Sequence, residues 1–131
     1  MKKILLSLLM LFAVFSLTGC RTSTILNVPD QPIIANSSKI TNDDVFKAIV
    51  RAGASKGWMI RRVDEHTAIG TLNVRDHQAV VTIKFNPKEY SITYKSSMNL
   101  KYNAEKNTIH SNYNGWIQNL RNAINTQLSL L

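Results

Sequence analysis

The spacing of apolar residues along the chain changes several times, and each change marks an element. Between positions 42 and 56, Val45, Ala48, Ile49 and Ala52 fall at helical spacing, and Phe46 and Val50 widen the stripe. Thr41 is placed as the N-cap, with Asp44 as a short-armed capping-box partner and Ile40 and Val45 as a hydrophobic staple. Asp43 and Asp44 suit the positive end of the helix dipole, and Gly57 is the expected stop.

The period then shortens to two. Trp58 to Val63 and Thr67 to Val74 are predicted strands, broken by Asp64-Glu65-His66 and Arg75-Asp76-His77. Gln78 to Phe85 alternates most cleanly, with Ala79, Val81, Ile83 and Phe85 opposite Val80, Thr82 and Lys84. After the Asn86-Pro87-Lys88 turn, Tyr90, Ile92 and Tyr94 alternate with Ser91, Thr93 and Lys95. Short turns between consecutive strands make an antiparallel meander of three or four strands. Met98 to Tyr102 fits either a last edge strand or a packed loop.

A second helix is predicted with Thr108 as its cap. Ile109, Tyr113, Trp116, Ile117, Leu120, Ala123, Ile124, Leu128 and Leu131 trace its apolar face. Gly115 lies inside it, which suggests a close contact or a later start, since glycine costs about 1 kcal/mol against alanine. Two helices with one apolar stripe each must cover one sheet face. The expected fold is therefore α+β: a two-layer helix–meander–helix sandwich over residues 40–131. The opposite face is left with Thr71, Asn73, Thr82, Lys84, Thr93 and Lys95, a wet, hydroxyl-rich and basic surface.

The first twenty residues follow another logic. Lys2 and Lys3 precede an apolar run from Ile4 to Phe15, about a dozen residues against the roughly 20 a bilayer-crossing helix needs. Leu17-Thr18-Gly19-Cys20 closes it and resembles the lipobox of bacterial lipoproteins. The resemblance implies a signal peptide at 1–19, cleavage between Gly19 and Cys20, diacylglycerol on the Cys20 sulfur and acylation of the new amino group. An ordinary secretory signal or an uncleaved anchor is the alternative. Arg21, in place of the Asp that commonly retains such proteins at the inner membrane, resembles the outer-membrane-sorted kind facing the periplasm. Residues 20–39 then read as lipidated cysteine and tether. Pro29 and Pro32 argue against regular structure there, though Ile25, Leu26, Val28, Ile33 and Ile34 suit a segment lying partly along the domain.

Composition adds two constraints. Cys20 is the only cysteine, so no internal disulfide can form and the core alone must hold the fold. The formal charge is +8, and loss of Lys2 and Lys3 leaves 14 basic against 8 acidic residues, a net +6. That field favours anionic partners, an envelope protein or other anionic envelope component. Nucleic-acid binding would want a denser basic stripe with exposed aromatics.

Chemistry-bearing clusters are sparse. His66, His77 and His110 share no metal-ligand spacing, and His66 and His77 lie about 25 Å apart along one strand at about 3.3 Å per residue. No metal or cofactor is expected, and no paired carboxylates or nucleophile motif points to catalysis. His110, Tyr113 and Asn114 are the candidate edges of a pocket; the competing reading packs Tyr113 and Trp116 into the core.

Tyr90-Ser91-Ile92-Thr93-Tyr94, Ser97, Asn99-Leu100, Tyr102, Ile109-His110, Tyr113-Asn114, Trp116 and Leu120 resemble small proteobacterial lipoproteins over roughly residues 41–128. That resemblance implies a class and no activity. The expectation is a non-enzymatic, membrane-anchored envelope lipoprotein acting as a protein-interaction or assembly module. The alternative is a periplasmic small-ligand or glycan binder.

Overall fold

The computed structural model describes residues 21–131, so the signal segment and Cys20 lie outside the described residues. The elements are β1 (Thr22–Thr24), β2 (Val28–Pro32), α1 (Asn42–Ser55), β3 (Trp58–Asp64), β4 (Thr67–Val74), β5 (His77–Phe85), β6 (Glu89–Met98), β7 (Thr108–His110) and α2 (Ser111–Ser129). An antiparallel five-stranded sheet has the order β2-β6-β5-β4-β3, and β1 pairs separately with β7. Both helices pack on one sheet face, the α+β arrangement expected from the periodicity.

The central strand shows why. Ala79, Val81, Ile83 and Phe85 are all buried, and across the ladder they meet Leu72, Gly70, Ala68, Tyr94, Ile92 and Tyr90 on the same face. Val45, Ala48, Ile49 and Ala52 from α1 and Ile117, Leu120, Ile124 and Leu128 from α2 complete the core. The capping box forms in both directions: Asp44 N–H donates to Thr41 Oγ1 at 3.1 Å, and Thr41 N–H donates to Asp44 Oδ2 at 2.9 Å.

Two expectations are revised, and one alternative left open is decided. The segment read as a tether without regular structure contains β1 and β2, with Ile25 and Val28 buried in the core. Its prolines are tolerated because β2 is an edge strand, where a missing N–H breaks no interior ladder, and its pairing with β6 slips between Val28 and Gln31. Thr108 does not cap α2; residues 108–110 are held as β7, and His110 is the cap, its Nδ1 accepting from Asn112 N–H at 3.1 Å. Residues 99–102 form a packed loop, with Leu100 buried between the left-handed Asn99 (φ 57°) and Lys101 (φ 53°).

The two helical glycines differ in kind. A Cβ on Gly53 would meet Ile60 Cγ1 at 2.5 Å, so that glycine lets α1 settle on β3. Nothing lies within 4 Å of the corresponding point on Gly115, so a close contact is not what places it there. Gly53→Ala is expected to destabilise the fold by about 1–3 kcal/mol through overpacking. Gly115→Ala should stabilise it by about 1 kcal/mol through helix propensity. Opposite shifts in urea midpoint are the check.

Two buried tyrosines make a second pair. Tyr90 OH donates to Asn125 Oδ1 at 2.6 Å, whereas Tyr113 OH has no hydrogen-bond partner among the described residues. Tyr90→Phe strands the Asn125 oxygen and should cost about 1–2 kcal/mol, while Tyr113→Phe should be neutral or stabilising. Equal losses by chemical denaturation would contradict that assignment.

Candidate functional site

The sheet face turned away from the helices is built in rows by strand register. Met59, Thr71 and Val80 form one row, ending at Ser96 on β6. Arg61, Ile69, Thr82 and Thr93 form the next, and Thr67, Lys84 and Ser91 the third. Asn73 lies toward the far end, its Oδ1 accepting from Gln78 Nε2 at 3.0 Å. Lys95 falls at the irregularity where β6 slips against Val80 and Val81, and its side chain is exposed. The six residues expected on this face thus belong to one continuous surface, where Thr71, Thr82 and Thr93 are half-buried and Asn73, Lys84 and Lys95 exposed.

An apolar component of that surface was not anticipated. Met59 on the β3 edge is 70% exposed and Val63, at the β3 irregularity, 45%, with Ile69 on β4 and Val80 on β5 half-buried further in. The alternation of β3 carried the signal, but Arg62 on the inward-facing set obscured it. That guanidinium lies 5.0 Å over the Phe46 ring and 5.7 Å over Phe85, with Nη1 2.7 Å from Asp43 Oδ1. Delocalised charge on an aromatic face, closed by a carboxylate, is how Arg takes an inner position. Arg61, its neighbour, points outward. The Arg61-Arg62 pair is therefore one surface cation and one packing residue.

The three expected pocket residues serve separate roles. Tyr113 is fully buried, its ring edge-on to Tyr94 at 5.8 Å. Asn114 clamps the N-terminal segment: its Oδ1 accepts from Leu26 N–H at 2.9 Å and its Nδ2 donates to Thr24 O at 2.8 Å. Of the three, His110 alone lines the open depression with Arg21, Ser111 and Asn112.

The histidines occupy both ends of the sheet. His66 Nδ1 lies 3.0 Å from Phe85 O, and since a carbonyl only accepts, Nδ1 carries the proton. His77 Nδ1 likewise donates to Asn99 O at 2.7 Å, while its Nε2 lies 3.5 Å from Asp76. His66 and His77 remain apart at the two ends of β4. The unforeseen neighbour is His110, whose ring centre is 6.4 Å from that of His77. The loop at Asn99-Leu100 brings them together, Asn99 O accepting from His77 and Leu100 O from His110 N–H, a contact across 33 residues that no local pattern encodes. Among the described residues, no group of three or more His, Cys, Asp or Glu side chains could hold a metal ion. No described helix is long and apolar enough to cross a membrane.

Several groups titrate away from their ordinary values. Backbone hydrogen bonding from Thr41, then its hydroxyl, lowers the Asp44 pKa; the His66 N–H, then the Thr67 hydroxyl, does the same for Asp64. Burial drives the Tyr90, Tyr113 and Tyr94 phenols upward.

Comparison of the chain with family models, curated proteins and solved structures finds no match.

The pKa directions set the pH profile. A carboxylate with a depressed folded pKa stabilises above its unfolded value and loses that contribution as pH falls through the folded value. Stability should therefore decline below about pH 4, and less so in Asp44→Asn and Asp64→Asn, which lack the titration. Phenols raised by burial work in the opposite sense: stability should fall as pH rises beyond about 10, where only the unfolded chain ionises them. Urea titrations across both windows read the two slopes, and Tyr113→Phe should shrink the alkaline one.

Proposed function

We propose that this chain is a non-enzymatic bacterial envelope lipoprotein, held in a membrane through lipid on Cys20, whose domain docks an envelope protein through the uncovered sheet face. The observation that carries the reading is the composition of that face. Met59 and Val63 are exposed large apolar residues on a sheet whose other side is fully packed. An antiparallel sheet can leave one face to water, and such a face is ordinarily polar. Here apolar side chains, most exposed along the β3 edge, are mixed with Thr71, Thr82 and Thr93 and with the cations Arg61, Lys84 and Lys95. Such a mixture of apolar area, hydroxyls and Arg suits a protein contact.

The fitting partner presents acidic groups beside a small apolar patch. Hydroxyls give short, adaptable hydrogen bonds, and the cations set orientation and encounter rate more than affinity. The anchoring half of the reading rests on Leu17-Thr18-Gly19-Cys20 behind a basic and then apolar leader. Two or three acyl chains, at about 0.8 kcal/mol per buried CH₂, hold stably where one is marginal. Arg21 after the cysteine supports the outer membrane as the destination.

Two measurements test the halves separately. Mass spectrometry of the native protein should find a chain beginning at Cys20 and carrying diacylglycerol. A photo-crosslinking residue replacing Thr82 should capture a defined envelope protein in living cells, and one replacing Gln118 on the exposed side of α2 should not. Changing Thr82, Lys84, Thr93 and Lys95 together, with crosslinkers at Thr71, should reduce capture at least tenfold, about 1.4 kcal/mol or more. Equal capture from both faces, or capture unchanged by the four substitutions, contradicts the docking assignment.

A further inference from the structure

The described chain begins already attached to the domain. Arg21 O accepts from Ser111 N–H at 2.7 Å and from Ser111 Oγ at 3.1 Å, and Thr22 pairs with His110. Cys20 is the preceding residue, so about 3.8 Å of backbone separates its Cα from this clamp. A lipid on Cys20 would therefore moor the domain by one defined end, one residue from the clamp.

That end is a continuous structure. Asn99 Nδ2 donates to Asp76 O at 2.7 Å, joining the β4–β5 turn to the loop after β6. His77 donates to Asn99 O, and His110 N–H donates to Leu100 O at 2.7 Å, joining both to the start of α2. Exposed on it are the cations Arg21, Arg75 and Lys101, together with Tyr102 (43%) and Met98 (57%). Arg75 and Lys101 stand at φ 56° and 53°, left-handed positions where glycine or asparagine is the usual occupant. Their long basic side chains are kept there at conformational cost.

Acidic charge is distributed in the opposite direction. Of the 8 acidic residues, Asp30, Asp43, Asp44, Asp64, Glu65 and Glu89 all lie toward the other end of the sheet, at the α1 start, the β3–β4 turn, or the β2 and β6 residues paired beside them. Asp76 and Glu105 are the exceptions. Most carboxylates therefore lie away from the end where the chain leaves for Cys20, with Arg62, Lys84 and Lys88 standing among them, whereas Arg21, Arg75 and Lys101 at the Cys20 end outnumber the carboxylates Asp76 and Glu105.

We propose that the end formed by Arg21, Arg75, Lys101, Tyr102 and Met98 is a membrane-contact surface that rests on the anionic phospholipid headgroups of the leaflet holding the Cys20 lipid. The inference rests on the anchoring reading above and deepens it. The cations meet headgroup phosphates, the tyrosine takes the interfacial level its amphipathic ring favours, and most of the carboxylates are turned away from the negative surface. Orientation follows as well. With the strands pointing away from the bilayer, the docking face looks sideways into the surrounding compartment.

The test uses the mature lipidated chain in protein-free vesicles of phosphatidylcholine, with or without phosphatidylglycerol. Nitroxide labels on Tyr102→Cys and, at the far end, Lys88→Cys are read for collision with a water-soluble paramagnetic relaxant. Position 102 should be shielded several-fold more in the phosphatidylglycerol vesicles, with position 88 equally exposed in both. Salt, and the Arg75→Glu with Lys101→Glu double variant, should abolish the difference, with circular dichroism confirming that the variant is folded. Equal exposure of position 102 in both vesicle types, with lipid on Cys20 shown by mass spectrometry, overturns the proposal. Shielding found in native envelopes but not in protein-free vesicles assigns the end to a protein and also overturns it. If Cys20 proves unlipidated, the anchoring reading fails by itself. Flotation of the full chain with phosphatidylglycerol vesicles then decides this surface: co-flotation upholds it and its absence overturns it.

Discussion

Beneath two helices, Ala79, Val81, Ile83 and Phe85 of the central strand lose essentially all contact with water, and the rest of the domain is arranged around that burial. A chain of this size with one cysteine has no internal disulfide to restrict its unfolded state. Apolar area removed from water, at roughly 25 cal/mol per Å², must offset the conformational entropy alone. The demand is visible in how closely the layers approach. Gly53 brings α1 onto Ile60, Gly70 leaves room for Val81 and Ile60, and Arg62 lies over two phenylalanines with its guanidinium closed by Asp43.

One consequence is that the sheet has two unlike faces. The packed side takes Val28, Ile60, Leu72, Val81, Ile83 and Ile92 with the aromatic rings. The open side keeps Met59 and Val63 among threonines and lysines, a mixture that pure solvation would not select. Another consequence concerns the N-terminal segment. With the packed side finite in width, the edge beside β6 and the gap beside β7 would leave backbone groups unpaired and Ile25 and Val28 in water. Residues 22–32 fill both, and Asn114 locks the crossing between them with bonds to Thr24 and Leu26. What the prolines suggest is a spacer is structurally a part of the domain.

On the anchoring proposal, that attachment would make a lipid on Cys20 a mount rather than a leash, at the end of the domain away from most of its carboxylates. It also gathers four left-handed non-glycine residues, Arg75, Asn99, Lys101 and Asn107, into the turns and loops around one end of the sheet. Tight reversals between a strand end, a loop and a helix start leave few alternatives there. The chain holds them with side-chain bonds from Asn99 and His77 rather than with glycines.

Much of this architecture was legible in the residues. The spacing of Val45, Ala48, Ile49 and Ala52, the alternation from Ala79 to Phe85 and from Tyr90 to Tyr94, and the Thr41–Asp44 box each report a direction that the local backbone imposes on its own side chains. Helix, meander, buried face and wet face therefore follow from neighbours within a few positions, and so does the lipobox pattern, which requires no fold at all. The pairing of β1 with β7, the use of a proline-bearing strand at the β6 edge, His110 as cap in place of Thr108, and the meeting of His77 with His110 were decided only in three dimensions. Each depends on which unpaired backbone edge another part of the chain leaves open. Edge pairing joins residues some 60 to 90 positions apart through main-chain atoms common to every amino acid, so it leaves no periodic trace in side-chain identity.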